Sequence, residues 1–178
     1  MHLETFPKPR IGFDVGNVIL ETDTDGSRPA EIRHAGSHPL DLPQSYVDGA
    51  LSVIRDTVGK LGAQNVHIIS KCGVSMQQKT QRYFEETNFF DKTNFARENV
   101  WFVKKRAEKA PIAARLALTH FVDDRSQILR SMTTVSVRML FQIPYCEVPI
   151  DKTLFEPELV VVKDWAEVDR VIKSTTLA

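Results

Sequence analysis

Residues 11–20 constrain the fold most, because a short apolar run there ends in Asp14 and the chain then turns apolar again. An apolar run of this length predicts a buried strand. In open α/β proteins, ligands bind beyond the carboxyl ends of the strands, so this strand would deliver a carboxylate to a binding edge. Gly16 allows tight backbone geometry or the close approach of a ligand. Taken alone, however, the segment is better explained as an aspartate that ends a strand at a turn.

Short apolar runs alternate with helical periodicity along the rest of the chain. Strands are predicted at residues 11–14, 66–69, 100–103, 120–125, 135–141 and 159–162. Helices are predicted at residues 44–61, with Ser45 as cap, at 74–87, with Ser75 as cap, at 110–118 and 126–131, and after Asp164. Alternation of this kind predicts an α/β fold with three layers (α/β/α) around a central, mostly parallel, Rossmann-like sheet.

The length of 178 residues suits a single domain over residues 1–178. Residues 21–43 are polar and broken by glycine and proline, which predicts an excursion over the carboxyl edge of the sheet that could act as a small lid. Two further segments are predicted as loops, the aromatic residues 88–94 and the proline-bounded residues 144–157.

Composition excludes several classes of function. Lys+Arg and Asp+Glu are equal at 23 each, so the formal net charge is zero. The charge therefore gives no indication that the partner is nucleic acid or an anionic membrane. No run of 18 apolar residues predicts a membrane span, and the N-terminus lacks a signal-peptide pattern. The two cysteines fit neither a disulfide framework nor a metal-ligand spacing, and reduced thiols predict a cytoplasmic setting.

Polar residues that suit metal and phosphate binding follow three of the predicted strands. They are Asp14, Ser70, and the pair Asp123 and Asp124; the candidate cations Lys104, Lys105 and Lys109 lie between the last two strand ends. Because the carboxyl ends of parallel strands share one edge, these groups are expected to meet there. Carboxylates with a cation nearby suit a hard divalent metal such as Mg²⁺ together with a phosphoryl group.

This pattern resembles the haloacid dehalogenase-like hydrolase superfamily, and in particular its phosphatases with a small or absent cap. Residues 13–18 match the first motif, and residues 68–70 match the second, a hydroxyl residue after an apolar strand. The third motif is a lysine at a helix start, for which Lys109 matches best and Lys105 is the second choice. Residues 121–124 match the paired acids of the fourth motif, so the motifs span residues 11–125 in chain order.

The resemblance implies a role for each matching residue. Asp14 would attack phosphorus and form an aspartyl-phosphate that water then hydrolyses. Ser70 would hydrogen-bond a phosphoryl oxygen, and Lys109 would stabilise negative charge on nucleophile and phosphate.

The resemblance also implies a Mg²⁺ site. The ligands would be Asp14, the backbone carbonyl of Gly16, and Asp123 or Asp124, with Asp123 favoured. The second acid would cap the following helix or pair with Arg125.

Gly16 departs from the pattern of the superfamily, whose phosphatases usually carry a second aspartate there as general acid and base. General acid–base help is worth about 10²–10⁴-fold. Its loss predicts a slow enzyme, a substrate with a good leaving group, or an acid borrowed from Asp23 or Asp25. The dehalogenase branch normally has an aromatic residue at this position, which disfavours that activity.

The expected function is Mg²⁺-dependent hydrolysis of a phosphomonoester, with a small phosphorylated metabolite or a larger phosphorylated molecule as substrate. A second hypothesis is a non-catalytic regulator that binds phosphate or metal, since Gly16 removes the acid. A third is an interaction module whose acidic site is vestigial.

Overall fold

The computed structural model describes residues 8–21, 45–142 and 159–176. Six strands there form one sheet in which every neighbouring pair is parallel. The strands are β1 (Ile11–Phe13), β2 (Val66–Lys71), β3 (Val100–Val103), β4 (His120–Asp123), β5 (Val137–Phe141) and β6 (Leu159–Val162). Their order across the sheet is β3-β2-β1-β4-β5-β6, which confirms the predicted parallel, Rossmann-like architecture.

Helices cover both faces of this sheet. They are α1 (Ala50–Leu61), α2 (Val74–Glu86), α3 (Phe89–Thr93), α4 (Lys109–Arg115), α5 (Ser126–Ser131) and α6 (Trp165–Thr176). Consecutive strand residues enter opposite apolar cores, as the period of two requires. Ile68 and Val122 pack in the core that α1, α3 and α6 cover, whereas Ile69 and Phe121 pack in the core that α4 and α5 cover. The predicted three layers are therefore confirmed.

The direction of the chain across the sheet reverses between β1 and β4. From β1, the chain continues to β2 and β3 on one side and returns to β4, β5 and β6 on the other. In open α/β sheets, the crevice beyond the carboxyl ends of the strands at such a switch point is where ligands bind. The residues that follow β1 and β4 lie at this crevice.

The first helix begins later than its periodicity predicts. It starts at Ala50, because Gly49 has a left-handed φ of 82° that a helix cannot continue through. Ser45 does not cap it; the Ser45 hydroxyl donates to Glu21 Oε2 at 2.6 Å. Tyr46 instead forms an antiparallel bridge with Leu20. Long-range backbone pairing thus keeps residues out of the helix that their apolar spacing predicts to be helical.

Other boundaries differ in smaller ways. Residues 88–94, predicted as a loop, contain the short helix α3. The second helix has Gly73 rather than Ser75 as its N-cap. The fourth helix, predicted for residues 110–118, begins at Lys109 and ends at Arg115. The fifth strand begins two residues later than predicted.

Several predictions concern residues outside the described ranges. Of the excursion at residues 21–43 only Glu21 is described, and the loop at residues 144–157 lies wholly outside. The lid and the single domain over residues 1–178 therefore stay predictions. Among the described helices, none has the length and apolar character needed to cross a bilayer.

The packing on the α4 face leaves no room for a side chain at Gly12. Alanine substitutions at Gly12 and at Gly59 are therefore expected to change the stability of the fold in opposite directions. A Cβ at Gly12 would lie 2.5 Å from Phe121 Cδ2 and 2.6 Å from Leu118 Cδ1, whereas a Cβ at Gly59 in α1 meets nothing within 4 Å. Gly12→Ala is expected to lower the free energy of unfolding by about 1–3 kcal/mol through overpacking. Gly59→Ala is expected to raise it by about 0.5–1 kcal/mol.

Urea denaturation of the two variants and the wild type measures both changes. Gly59→Ala is the matched control because it adds the same methyl group. Equal stability of the two variants would contradict the packing described at Gly12.

Candidate active site

The register between β1 and β4 directs two carboxylates to the same place. Phe13 pairs with Val122, and the Asp14 backbone N–H donates to the Val122 carbonyl at 2.9 Å. Phe13 and Val122 both face the core under α1 and α6. Because side chains alternate along a strand, the next residues, Asp14 and Asp123, turn toward the opposite face, where α4 lies.

Lys109, the first residue of α4, places its ammonium between these two carboxylates. Its Nζ lies 2.9 Å from Asp14 Oδ1 and 2.8 Å from Asp123 Oδ2, and its side chain is 1% exposed. Nζ also lies 5.8 Å from the centre of the Phe121 ring. Burial works to lower the pKa of Lys109, but Asp14 and Asp123 outweigh it, so the pKa is raised. The lysine is therefore a fixed positive charge at the switch point.

The segment between β3 and α4 determines which lysine enters the site. Glu108 Oε2 accepts hydrogen bonds from the backbone N–H groups of Lys104 and Lys105, at 3.0 and 3.2 Å. This closes the turn at Arg106–Glu108 and starts the helix with Lys109 pointing inward. Within the described ranges, the exposed Lys104 and Lys105 form no ion pair with these carboxylates.

Asp123 is fully buried and both of its oxygens have donors. Oδ2 accepts from Lys109 Nζ, and Oδ1 accepts from the Arg125 backbone N–H at 2.9 Å. Burial and the neighbouring Asp14 charge raise the pKa of Asp123 to about 8, although Lys109 works against that rise. Burial is the larger cause of this rise, and the ammonium of Lys109 offsets only part of it.

Asp124 lies just beyond the end of β4. Its Oδ2 accepts from Asn17 Nδ2 at 3.1 Å, and its Oδ1 lies 3.9 Å from Arg125 Nε. Burial raises the pKa of Asp124, against the effect of the Asn17 hydrogen bond. Asp124 therefore does more than pair with Arg125, because its shorter contact is with Asn17 in the turn after β1.

The three carboxylates form a group that could hold a metal ion. One oxygen from each of Asp14, Asp123 and Asp124 lies within 4.8 Å of the others. Carboxylate oxygens are hard ligands, which suit Mg²⁺ or Ca²⁺. The three carboxylates lie beside one buried ammonium, that of Lys109, which pairs with two of them. The donor set therefore fits a divalent cation.

Comparison with solved structures, rather than with known sequences, identifies the fold. No protein-family model matches the chain, and the sequence search of curated proteins found no match. A haloacid dehalogenase-like family hydrolase from Xanthomonas campestris superposes with a TM-score of 0.61 at 11% identity, covering 99% of this chain and 95% of that one. A HAD-superfamily hydrolase from Ehrlichia chaffeensis superposes with a TM-score of 0.57 at 9% identity, covering 96% of this chain and 98% of that one. The chain has a haloacid dehalogenase-like (HAD-like) fold.

In this HAD-like fold, Gly16 lies partly buried in a compact turn that directly follows Asp14. The Val15 carbonyl accepts from the backbone N–H groups of Ile19 and Leu20, both at 2.9 Å. The left-handed residue of the turn is Asn17, with φ 59°; among the described glycines only Gly49 and Gly62 have positive φ. The special backbone geometry expected at Gly16 is therefore found one residue later.

Ser70 and Cys72 lie at the end of β2 beside this turn. Ser70 is buried and pairs with Phe102 of β3. Since Ile69 faces the core under α4, alternation turns Ser70 to the other face from Lys109. Burial raises the pKa of the Cys72 thiol, and the Asp14 charge adds to the rise. That shift disfavours the thiolate and with it a cysteine nucleophile.

Asn17 is the residue of this site to which the sequence pattern assigned no role. The available signal was its type: asparagine is one of the few residues other than glycine that adopts a left-handed conformation readily. Its bond to Asp124 joins residues 107 positions apart, and such a contact cannot be read from local spacing.

Proposed function

We propose that this protein is a Mg²⁺-dependent hydrolase of phosphomonoesters in which Asp14 is the nucleophile. The observation that carries the proposal is the buried Lys109 ammonium that bridges Asp14 and Asp123. It stands beside a third carboxylate at the switch point of a HAD-like sheet. The hydrolases of similar fold support the reaction class, and the site residues support the mechanism.

The chemistry of Asp14 follows from its surroundings. Its Oδ1 accepts from the Val15 backbone N–H at 2.8 Å and from Lys109 Nζ, which holds the carboxylate in one rotamer and leaves Oδ2 for attack. Oδ2 would bond to phosphorus while the bond from phosphorus to the ester oxygen breaks. Because Gly16 offers no acid, the leaving oxygen would take its proton from water. A second water would then attack phosphorus, releasing inorganic phosphate and the free Asp14 carboxylate.

Lys109 and Ser70 would act on the phosphoryl group. The fixed ammonium of Lys109 lowers the energy of the negative charge that builds up between nucleophile and phosphorus. Ser70 faces the other side of the sheet from Lys109, and it is proposed to donate its hydroxyl to a phosphoryl oxygen that lies beyond the end of the neighbouring strand. Mg²⁺, held by Asp14, the Gly16 carbonyl and Asp123 or Asp124, would neutralise phosphoryl charge.

The substrate is proposed to be a small phosphorylated metabolite with a good leaving group. Without a general acid, the rate depends on how well the leaving oxygen carries negative charge, so a sugar anomeric phosphate, an acyl phosphate or an aryl phosphate would react faster than a simple alkyl phosphate.

Gly16 favours one alternative, a non-catalytic regulator that binds metal or phosphate. In the described residues, the acids near Asp14 are Asp123 and Asp124, and both belong to the metal cluster. Neither of these two acids is proposed to replace the missing one, and binding without turnover is the consequence if water cannot protonate the leaving group.

Turnover of p-nitrophenyl phosphate separates the two functions, because an aryl leaving group needs little protonation. The purified protein with Mg²⁺ is expected to release p-nitrophenol, to stop when EDTA is added, and to recover when Mg²⁺ is restored in excess. Turnover that continues in EDTA would contradict the metal dependence. Mg²⁺ binding by calorimetry without any turnover would support the regulator.

A further inference from the structure

We propose that Asn17 is a positioning residue whose side-chain amide orients the Asp124 carboxylate toward the divalent cation. The inference rests on the proposed function, since it assigns a task within that metal site. It concerns the contact between the turn after β1 and the end of β4.

The backbone at Asn17 requires a left-handed conformation. Its φ is 59°, and its N–H donates to the Leu20 carbonyl at 2.7 Å, which closes the turn directly after Asp14. Glycine adopts this conformation at no steric cost, and asparagine tolerates it. The backbone alone would therefore accept either residue at this position.

The side chain of Asn17 supplies what glycine cannot. Its Nδ2 donates to Asp124 Oδ2 at 3.1 Å, across the switch point between β1 and β4. The other polar contact of Asp124 is Arg125 Nε, at 3.9 Å from an arginine side chain that is 51% exposed. The amide is thus the shorter and better-shielded contact that fixes the plane of this carboxylate.

The other two carboxylates of the cluster do not depend on Asn17. Asp14 is held by Lys109 and the Val15 N–H, and Asp123 by Lys109 and the Arg125 N–H. Asp124 has no contact of similar strength from the lysine. Removal of the amide should therefore release one ligand and leave two in place.

A neutral amide suits this task for an electrostatic reason. It donates a hydrogen bond and fixes the carboxylate without cancelling its charge, as a second ammonium would. The full negative charge of Asp124 then stays available to a cation. Donors of this kind, which orient metal ligands, typically contribute about 10–100-fold to metal affinity.

Asn88 provides a matched control. It has the same left-handed conformation, with φ 55°, at the N-terminus of α3, where its side chain makes no capping hydrogen bond. Asn88→Gly and Asn17→Gly change the backbone in the same way, and only Asn17→Gly removes an amide from the metal cluster. A difference between the two variants then reports on the side chain.

The experiment measures the Mg²⁺ dissociation constant by calorimetry for the wild type, both glycine variants, Asp124→Ala, and the double variant Asn17→Gly/Asp124→Ala. Asn17→Gly is expected to weaken Mg²⁺ about 10–100-fold, with turnover restored at saturating Mg²⁺, and Asn88→Gly is expected to leave the constant unchanged. Because Asn17 acts through Asp124, its substitution is expected to add nothing in the Asp124→Ala background, where the acceptor of its hydrogen bond is gone. Circular dichroism checks that each variant is folded.

Two results would overturn the inference while leaving the proposed function in place. The first is that Asn17→Gly binds Mg²⁺ with the same dissociation constant as the wild type. The second is that Asn17→Gly weakens Mg²⁺ binding as much in the Asp124→Ala background as in the wild type. If the wild type itself binds no Mg²⁺, the proposed function fails first, and the role of Asn17 fails with it.

Discussion

Asp14→Asn is expected to lower the turnover of p-nitrophenyl phosphate by on the order of 10⁴–10⁶-fold, the usual consequence of removing a nucleophile that nothing else replaces. The amide has nearly the same shape, and its oxygen can still accept from the Val15 N–H. A carboxamide, however, is a poor nucleophile toward phosphorus and carries no charge to balance Lys109. The release of p-nitrophenol under saturating Mg²⁺ measures the loss.

The fold should survive this substitution, so the lost activity can be assigned to chemistry. Lys109 keeps its ion pair with Asp123, and Asp123 loses the like-charged neighbour that raises its pKa. Asp91→Asn, the same substitution at an exposed position on α3, is the control and should retain full turnover. If Asp14→Asn kept a rate within about tenfold of the wild type, a barrier difference of about 1.4 kcal/mol, Asp14 would not be the nucleophile.

The strands could be predicted from the sequence because their apolar runs are continuous, as is typical of parallel sheets covered on both faces. The predictions at residues 100–103 and 159–162 match β3 and β6 at both ends, although these two edge strands are only partly buried. The start of α1 could not be predicted in the same way. Tyr46 and Val47 continue the helical spacing, but their backbones pair with Leu20 and Ile19, which are distant in the sequence. Only the tertiary structure decides between these two outcomes.

The short helix α3 shows a second limit of local patterns. The sequence predicts a loop over residues 88–94, and Asn88 and Asn94 at its two ends do adopt left-handed conformations. Between them, Phe89 and Phe90 are buried against Phe84, with ring centres 4.3 and 6.0 Å away. The packing of these rings stabilises one helical turn that the flanking asparagines do not predict.

The place of the candidate site followed from topology, whereas its details did not. Strand ends in a parallel sheet share one edge, so Asp14 and Asp123 were expected to meet, and they do so through Lys109. The choice of Lys109 over Lys105 depends on the turn that Glu108 closes. The choice of Asp123 or Asp124 as the metal ligand stays a prediction.

Lys109→Met is expected to lower the free energy of unfolding by about 3–5 kcal/mol, the cost of removing one partner from a buried ion pair. Methionine keeps most of the length and volume of the side chain, so the change is largely in charge. Asp14 and the fully buried Asp123 would then face each other without a cation. Urea denaturation in EDTA measures the loss. Lys105→Met, at an exposed lysine four residues earlier, is the control and should change stability by less than about 0.5 kcal/mol.

Added Mg²⁺ links this loss of stability to the proposed metal site. A cation held by the same carboxylates would offset part of their repulsion, and at 100 times its dissociation constant it would stabilise the folded state by about 2.7 kcal/mol. Mg²⁺ is therefore expected to recover more stability in Lys109→Met than in Lys105→Met, because only the former leaves Asp14 and Asp123 without a positive charge. An equal gain in both variants would mean that Mg²⁺ binds away from the carboxylates that Lys109 bridges, and the cluster would then be a structural ion pair rather than a metal site.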